Sequence, residues 1–136
     1  MKITVEALVK APVETVWRCW TTPQDIMAWN AASDDWHTTA ATVDLREGGR
    51  FSSRMEAKDG SMGFDFAGIY RRVEPPRLLQ AVMEDGREIL VEFLQQDGAV
   101  LVRETFDAED QHPAQMQRQG WQAILDRFAA HVESVA

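Results

Sequence analysis

One narrow stripe of apolar side chains near the C-terminal end constrains this chain more than any other feature. From Trp121 onward, apolar residues fall at Ile124, Leu125, Phe128, Val132 and Val135, the i, i+3, i+4, i+7 spacing of a single helix face. Gln119, Ala123, Asp126 and Ala130 occupy the opposite face, which suits water. Pro113 fits a first helical turn, where its missing N–H costs nothing, so the spacing predicts a helix from about Pro113 to Val135. A helix of about six turns with one apolar stripe does not fold alone. It needs a broad apolar surface, and the rest of the chain must supply it.

The preceding sequence reads mostly as strands. Ile3 to Val9 alternates and is rich in β-branched residues, as a strand requires. Pro12 and Pro23 each open a short helical stretch; the first runs through Val16, Trp17 and Trp20, and the second groups Ile26, Met27 and Trp29 at its end. Asn30 to Thr39 reads as a polar loop enclosing Trp36 and His37. A meander follows, with Thr42 to Leu45, Arg50 to Lys58, Phe64 to Val73, Leu78 to Glu84, Ile89 to Gln96 and Val100 to Phe106 as strands. Its turns fall at Glu47-Gly48-Gly49, Asp59-Gly60, Pro75-Pro76, Asp85-Gly86 and Asp97-Gly98, and Asp-Gly is a strong hairpin signal. The order β-α-α-β(about six)-α predicts an α+β fold with the long helix on one face of an antiparallel sheet.

At 136 residues the chain reads as one domain, 1–136, with a proper core. Its 14 Lys and Arg stand against 22 Asp and Glu, a net charge of −8. No basic cluster exceeds Arg71-Arg72, so neither nucleic acid nor an anionic membrane is expected as a partner. The single cysteine, Cys19, forms no internal disulfide and fits a reducing compartment. With no apolar run of membrane length and no signal-peptide core at the start, a cytoplasmic protein is expected.

The ordered motifs resemble the START-like or SRPBCC superfamily, the helix-grip fold of the birch-pollen-allergen type. Within it they are most similar to the activator of heat-shock protein 90 ATPase homologue family. The resemblance is carried by Ala11-Pro12-Val13-Glu14-Thr15-Val16-Trp17, by Trp20-Thr21-Thr22-Pro23 with Trp29, and by Asp44-Leu45-Arg46-Glu47-Gly48-Gly49-Arg50-Phe51. Gly68-Ile69-Tyr70, Val73-Glu74-Pro75-Pro76-Arg77-Leu78 and Gly120-Trp121 complete it, so it spans nearly the whole chain. It implies a curved antiparallel sheet of about six or seven strands wrapped around the C-terminal helix, two short helices after strand 1, and an apolar cavity between helix and sheet. It implies no common catalytic set, and a fold alone does not assign a function.

Five tryptophans and six methionines are generous for this length. In a helix-grip fold Trp29, Trp36, Met55, Phe64, Phe66, Tyr70, Met83 and Trp121 fall on the cavity walls. Aromatic and Met side chains offer area and adaptable shape to a flat apolar ligand; taken singly, each also suits plain core packing. Glu104 is the odd residue, a carboxylate on an inner row otherwise Val100, Val102 and Phe106. Buried, it must be paired, protonated or near water, and a raised pKa would suit it to acid/base work; a β-bulge turning it outward is the alternative. Gln117, one turn before Trp121, is positioned to donate to a ligand, or else belongs to a solvated helix start. Gly120 would permit close approach of a ligand or of a neighbouring element at that turn, tight helix–sheet packing included. Arg87, after a hairpin turn, suits an anionic ligand group at the cavity mouth, or an exposed strand end.

His37, His112 and His131 are far apart in sequence, and with one Cys no spacing of metal-ligand type occurs, so no metal is expected. No phosphate loop, nucleophile elbow or dinucleotide fingerprint is present, and no cofactor is expected. The reading that follows is a cytoplasmic protein, monomer or weak homodimer, that binds a small hydrophobic or aromatic molecule in the cavity. Two others stay open: a cyclase- or hydrolase-like enzyme using Glu104 with Tyr70 or Arg87, and a chaperone-interaction module using an outer surface. The second domain of the eukaryotic chaperone activators has no counterpart in this sequence, which weighs against full co-chaperone action.

Overall fold

Three of the turns form where the Asp-Gly pairs place them. Gly60, Gly86 and Gly98 hold φ of +78°, +90° and +70°, values that glycine adopts without steric cost. The computed structural model describes all of residues 1–136. Its elements are β1 (Lys2–Val9), α1 (Val13–Thr21), α2 (Pro23–Trp29), β2 (Trp36–Val43), β3 (Arg50–Ala57), β4 (Gly63–Glu74), β5 (Leu78–Met83), β6 (Glu88–Gln96), β7 (Ala99–Asp107) and α3 (Ala114–Val135). The strands build one seven-stranded sheet in the order β1-β7-β6-β5-β4-β3-β2, antiparallel throughout and curled into a half-barrel. Only β1 leaves the meander order, crossing to pair with β7 in the register Val5↔Glu104.

The loop expected from Asn30 to Thr39 is shorter. β2 already begins at Trp36, pairing Trp36↔Ala57 and Thr38↔Met55 with β3 before a register shift near Thr39. Trp36, Thr38 and Thr39 are strand formers, and the β3 ladder outweighs the polar look of the segment. Thr38 also donates its hydroxyl to the Asn30 carbonyl at 2.7 Å, which ties the strand start to the end of α2.

The C-terminal stripe splits into two zones. Leu125, Phe128 and Val132 are fully buried, and Phe128 takes the edges of Trp20 and Trp29, both with centroids at 4.9 Å. Trp121 and Ile124 are only half-buried. Val135, expected on the stripe, is 47% exposed, in the last turn of the helix. Ala123, expected to face water, is half-buried.

The helix leans to one side. Among the strands, the α3 backbone runs close to β1 alone. Arg118 Nη1 donates to the Thr4 carbonyl at 2.8 Å, Gln122 Nε2 to the Glu6 carbonyl at 2.9 Å, and Lys10 N to the Glu133 carboxylate at 2.9 Å. Because β1 is an edge strand, those carbonyls have no strand partner on that side, and the helix covers the edge. The two short helices close one end: α1 lies against β6 and β7, with Trp17 and Trp20 both edge-on to Phe93.

Gly120 does not mark a close approach of helix to sheet, contrary to that part of the sequence expectation. A Cβ built there meets no atom within 4 Å, so the glycine only loosens the helix. Gly120→Ala is therefore expected to raise the unfolding free energy by up to about 1 kcal/mol in a denaturant titration; a loss of stability would show that the turn is crowded. Phe128→Ala removes a fully buried ring and is expected to cost about 3–5 kcal/mol in the same titration. A loss within the scatter of the fit would reject this placement of α3.

Candidate ligand-binding cavity

Because α3 sits toward the β1 edge, strands β3 to β6 are covered by side chains rather than by the helix backbone. Between them lies a cavity of about 640 Å³. Its aromatic wall is built by cross-strand pairs. Phe51 faces Gly68 across the β3–β4 ladder, and a Cβ at Gly68 would come within 3.0 Å of the Phe51 ring and 2.6 Å of the Val82 carbonyl oxygen. The glycine thus lets the ring lie flat over the strand, 5.1 Å from the Tyr70 ring. Opposite, Trp121 stacks on Phe106 at 3.8 Å with 9° between the planes, and meets Phe66 edge-on at 5.9 Å. One face of the Trp121 indole is therefore backed by the core, and the residue lines the cavity.

Of the residues that the sequence points to, Trp29, Met55, Phe64, Phe66, Tyr70, Arg87, Gln117 and Trp121 line this space together with Glu104. Met83 does not line it. It pairs with Gly68 at the end of β5 and is buried in the core. Trp36 is also outside the lining; its ring stands 5.9 Å, centroid to centroid, from Phe64, which is itself 47% exposed. Trp20, Phe51, Ser53, Ile89, Val91 and Ile124 line the cavity as well. Most of them stand on the same alternating rows as the named residues, so strand periodicity was the signal for them.

Gln117 has a different task from the one expected. Its Oε1 accepts from the Glu109 backbone N–H at 3.0 Å, and its Nε2 donates to the carbonyls of Glu109 at 3.0 Å and His112 at 2.8 Å. The amide is used in clamping the β7–α3 loop, whose Glu109, Gln111 and His112 form part of the lining. That loop has no periodicity from which sequence could place it. Arg87 sits at the hairpin between β5 and β6, and its Nε donates to Asp85 at 2.7 Å, so its charge is already partly matched.

The polar groups deeper inside are not matched. Glu104 points inward between Val5 and Val91 on the neighbouring strands and is 7% exposed. Burial alone pushes its carboxyl up to about 8, with no cation contributing. Burial likewise pushes the Tyr70 hydroxyl up to about 12. No fully enclosed polar side-chain atom in the protein lacks a partner, so these oxygens, which have none from the protein, open onto the cavity. At neutral pH Glu104 is predominantly a neutral acid, able to donate one hydrogen bond and accept others.

Although sequence spacing predicts no metal site, the fold brings Cys19, Asp25 and His131 together, with ligand atoms within 4.8 Å of one another. None of the three lines the cavity.

Comparison with known proteins supports the fold and gives the family. Residues 10–133 match the family model described as activator of Hsp90 ATPase homolog 1-like protein. The AHSA1-like protein from Aeromonas hydrophila, known from a solution NMR structure, is 52% identical at a TM-score of 0.93, with 99% of this chain and 94% of that one covered. A protein from Cytophaga hutchinsonii is 43% identical at a TM-score of 0.85, covering 98% and 93%. A crystal structure from Chromobacterium violaceum, at 20% identity and a TM-score of 0.88 over 98% of both chains, shares the fold. No curated protein matches.

The raised carboxyl has a measurable consequence. The folded chain keeps a proton on Glu104 that the unfolded chain releases, from an ordinary value of 4.5 up to about 8. Within that window the native state binds more protons, so this group makes stability fall as pH rises, with no contribution to the slope on either side. Comparing pH–stability profiles of the parent and Glu104→Gln should show the parent losing ground across that window. Parallel profiles would mean that Glu104 is solvated or paired.

Proposed function

The chain belongs to the activator of Hsp90 ATPase homolog 1-like family, and from that premise we propose that it binds a small hydrophobic or aromatic molecule in the cavity between α3 and the sheet. The observation that carries this reading is the pair of uncharged polar groups, Glu104 and Tyr70, that open onto the cavity without protein partners. Buried polar groups are normally satisfied, and here a ligand with hydrogen-bonding groups on a flat apolar frame would satisfy them. At about 640 Å³ the cavity is within the common range for small-molecule sites. Trp121, Phe51 and Phe66 supply faces and edges for such a frame.

A second reading uses the same acid. A carboxyl that titrates near 8 is poised to move a proton near neutral pH, which would suit a cyclase- or hydrolase-like reaction on a bound ligand. A chaperone contact through an outer surface is the third; it rests on the family description. The net charge of −8 disfavours nucleic acid and anionic membranes. No helix is long and apolar enough to cross a membrane. The buried lone thiol fits our placement of the protein in a reducing cytoplasm.

The test is a panel of flat apolar probes titrated against the parent, Trp121→Leu and Ala130→Leu, with thermal stability measured alongside. Trp121→Leu is expected to weaken the best probe by about tenfold, ~1.4 kcal/mol, by removing one wall of the site. Ala130→Leu, on an exposed helix face, should leave binding unchanged. If the parent binds nothing at high micromolar concentration, the cavity is not a ligand site and the interaction module takes precedence.

A further inference from the structure

We propose that Cys19, Asp25 and His131 form a binding site for a divalent zinc-type cation, separate from the cavity and shared by all three helices. Cys19 is on α1, Asp25 in the first turn of α2 and His131 in the last turns of α3. Their ligand atoms all lie within 4.8 Å of one another, and His131 Nε2 is 2.9 Å from Asp25 Oδ1. Zinc bonds of roughly 2.0–2.3 Å in a tetrahedron separate ligand atoms by about 3.3–3.7 Å. The separations are near enough to that spacing for side-chain rotation to bring the three atoms onto one ion.

The ligand types select the metal. A thiolate with an imidazole and a carboxylate suits zinc, whereas magnesium and calcium prefer oxygen alone. Access is one-sided, as a three-ligand site requires. Cys19 is fully buried, and the Arg18 side chain, close enough to hydrogen-bond its sulfur, favours the thiolate that a metal needs. The side chains of His131 and Asp25 keep 17% and 23% exposure, so an ion reaches the cluster from their side and water completes the tetrahedron. On binding, the Cys19 S–H bond breaks, a sulfur–zinc bond forms and the proton leaves to solvent. With its proton on Nδ1, His131 presents the Nε2 lone pair to the ion, which takes the place of the Nε2 contact with Asp25. One thiolate and one carboxylate then balance the two positive charges. Without metal, burial and the nearby Asp25 carboxylate hold the thiol proton on, while Arg18 favours its loss.

Cobalt(II) and zinc titrations of the intact protein test the proposal. The parent should take up one cobalt and show a sulfur-to-cobalt charge-transfer band, and zinc in competition with a chromophoric chelator should displace it. Cys19→Ser should abolish the band, and Cys19→Ser, Asp25→Asn and His131→Gln should each weaken zinc by about tenfold or more, since even outer-shell partners of a metal are worth that much. His37→Gln, in β2, should bind as the parent does. A parent that takes up no zinc at high micromolar metal, or a cobalt spectrum without the sulfur band, overturns the site. The parent's own spectrum decides this even if a variant fails to fold.

Discussion

The position of α3 on the β1 edge is the constraint from which the rest of the molecule follows. A single helix cannot cover a seven-stranded sheet, and this one is drawn to one side by donors that satisfy carbonyls of an edge strand, Arg118 to Thr4 and Gln122 to Glu6. Its fully buried residues, Leu125, Phe128 and Val132, pack where α1 and α2 close the structure. Farther toward its N-terminus the helix stands away from β3 to β6, and the space between becomes the cavity. The opening is thus a result of where the helix finds hydrogen-bond partners, and aromatic side chains line it without filling it.

What makes that space chemically particular is the contrast between its walls and its polar points. Phe51 lies flat because Gly68 has no Cβ beneath it, and Trp121 is held by stacking on Phe106. Against these fixed apolar surfaces, Glu104 lies between two valines with no cation to hold its charge. A carboxyl in such a place favours its neutral form, which turns an acceptor into a donor. An uncharged acid and an uncharged phenol, facing the same apolar space, favour a ligand that is mostly hydrocarbon but carries groups to hydrogen-bond.

Much of the fold was legible in the sequence because it rests on periodicity. The i, i+3, i+4, i+7 stripe located α3, period-two alternation placed Glu104 on an inner row, and the Asp-Gly pairs located three hairpins. The site was legible only as far as those rows extend. Met83 stands on a cavity-facing row but at its end, where the strand runs into the core. Gln117 lies on the stripe as expected, yet its amide serves the loop backbone at Glu109 and His112, a non-periodic contact. Gly120 invited an explanation by close packing that the open space around it removes. Cys19, Asp25 and His131 meet only because three helices converge, and their spacing in sequence carries no sign of it.

The most direct test of the cavity's character is the titration of Glu104 itself, followed through its side-chain carboxyl carbon by NMR. An apolar cavity that leaves the acid without a cation predicts a midpoint far above the ordinary range, near the value of about 8 to which burial pushes it. A midpoint near ~4.3, that of a free glutamate, would contradict it and show that water or an unseen partner carries the charge.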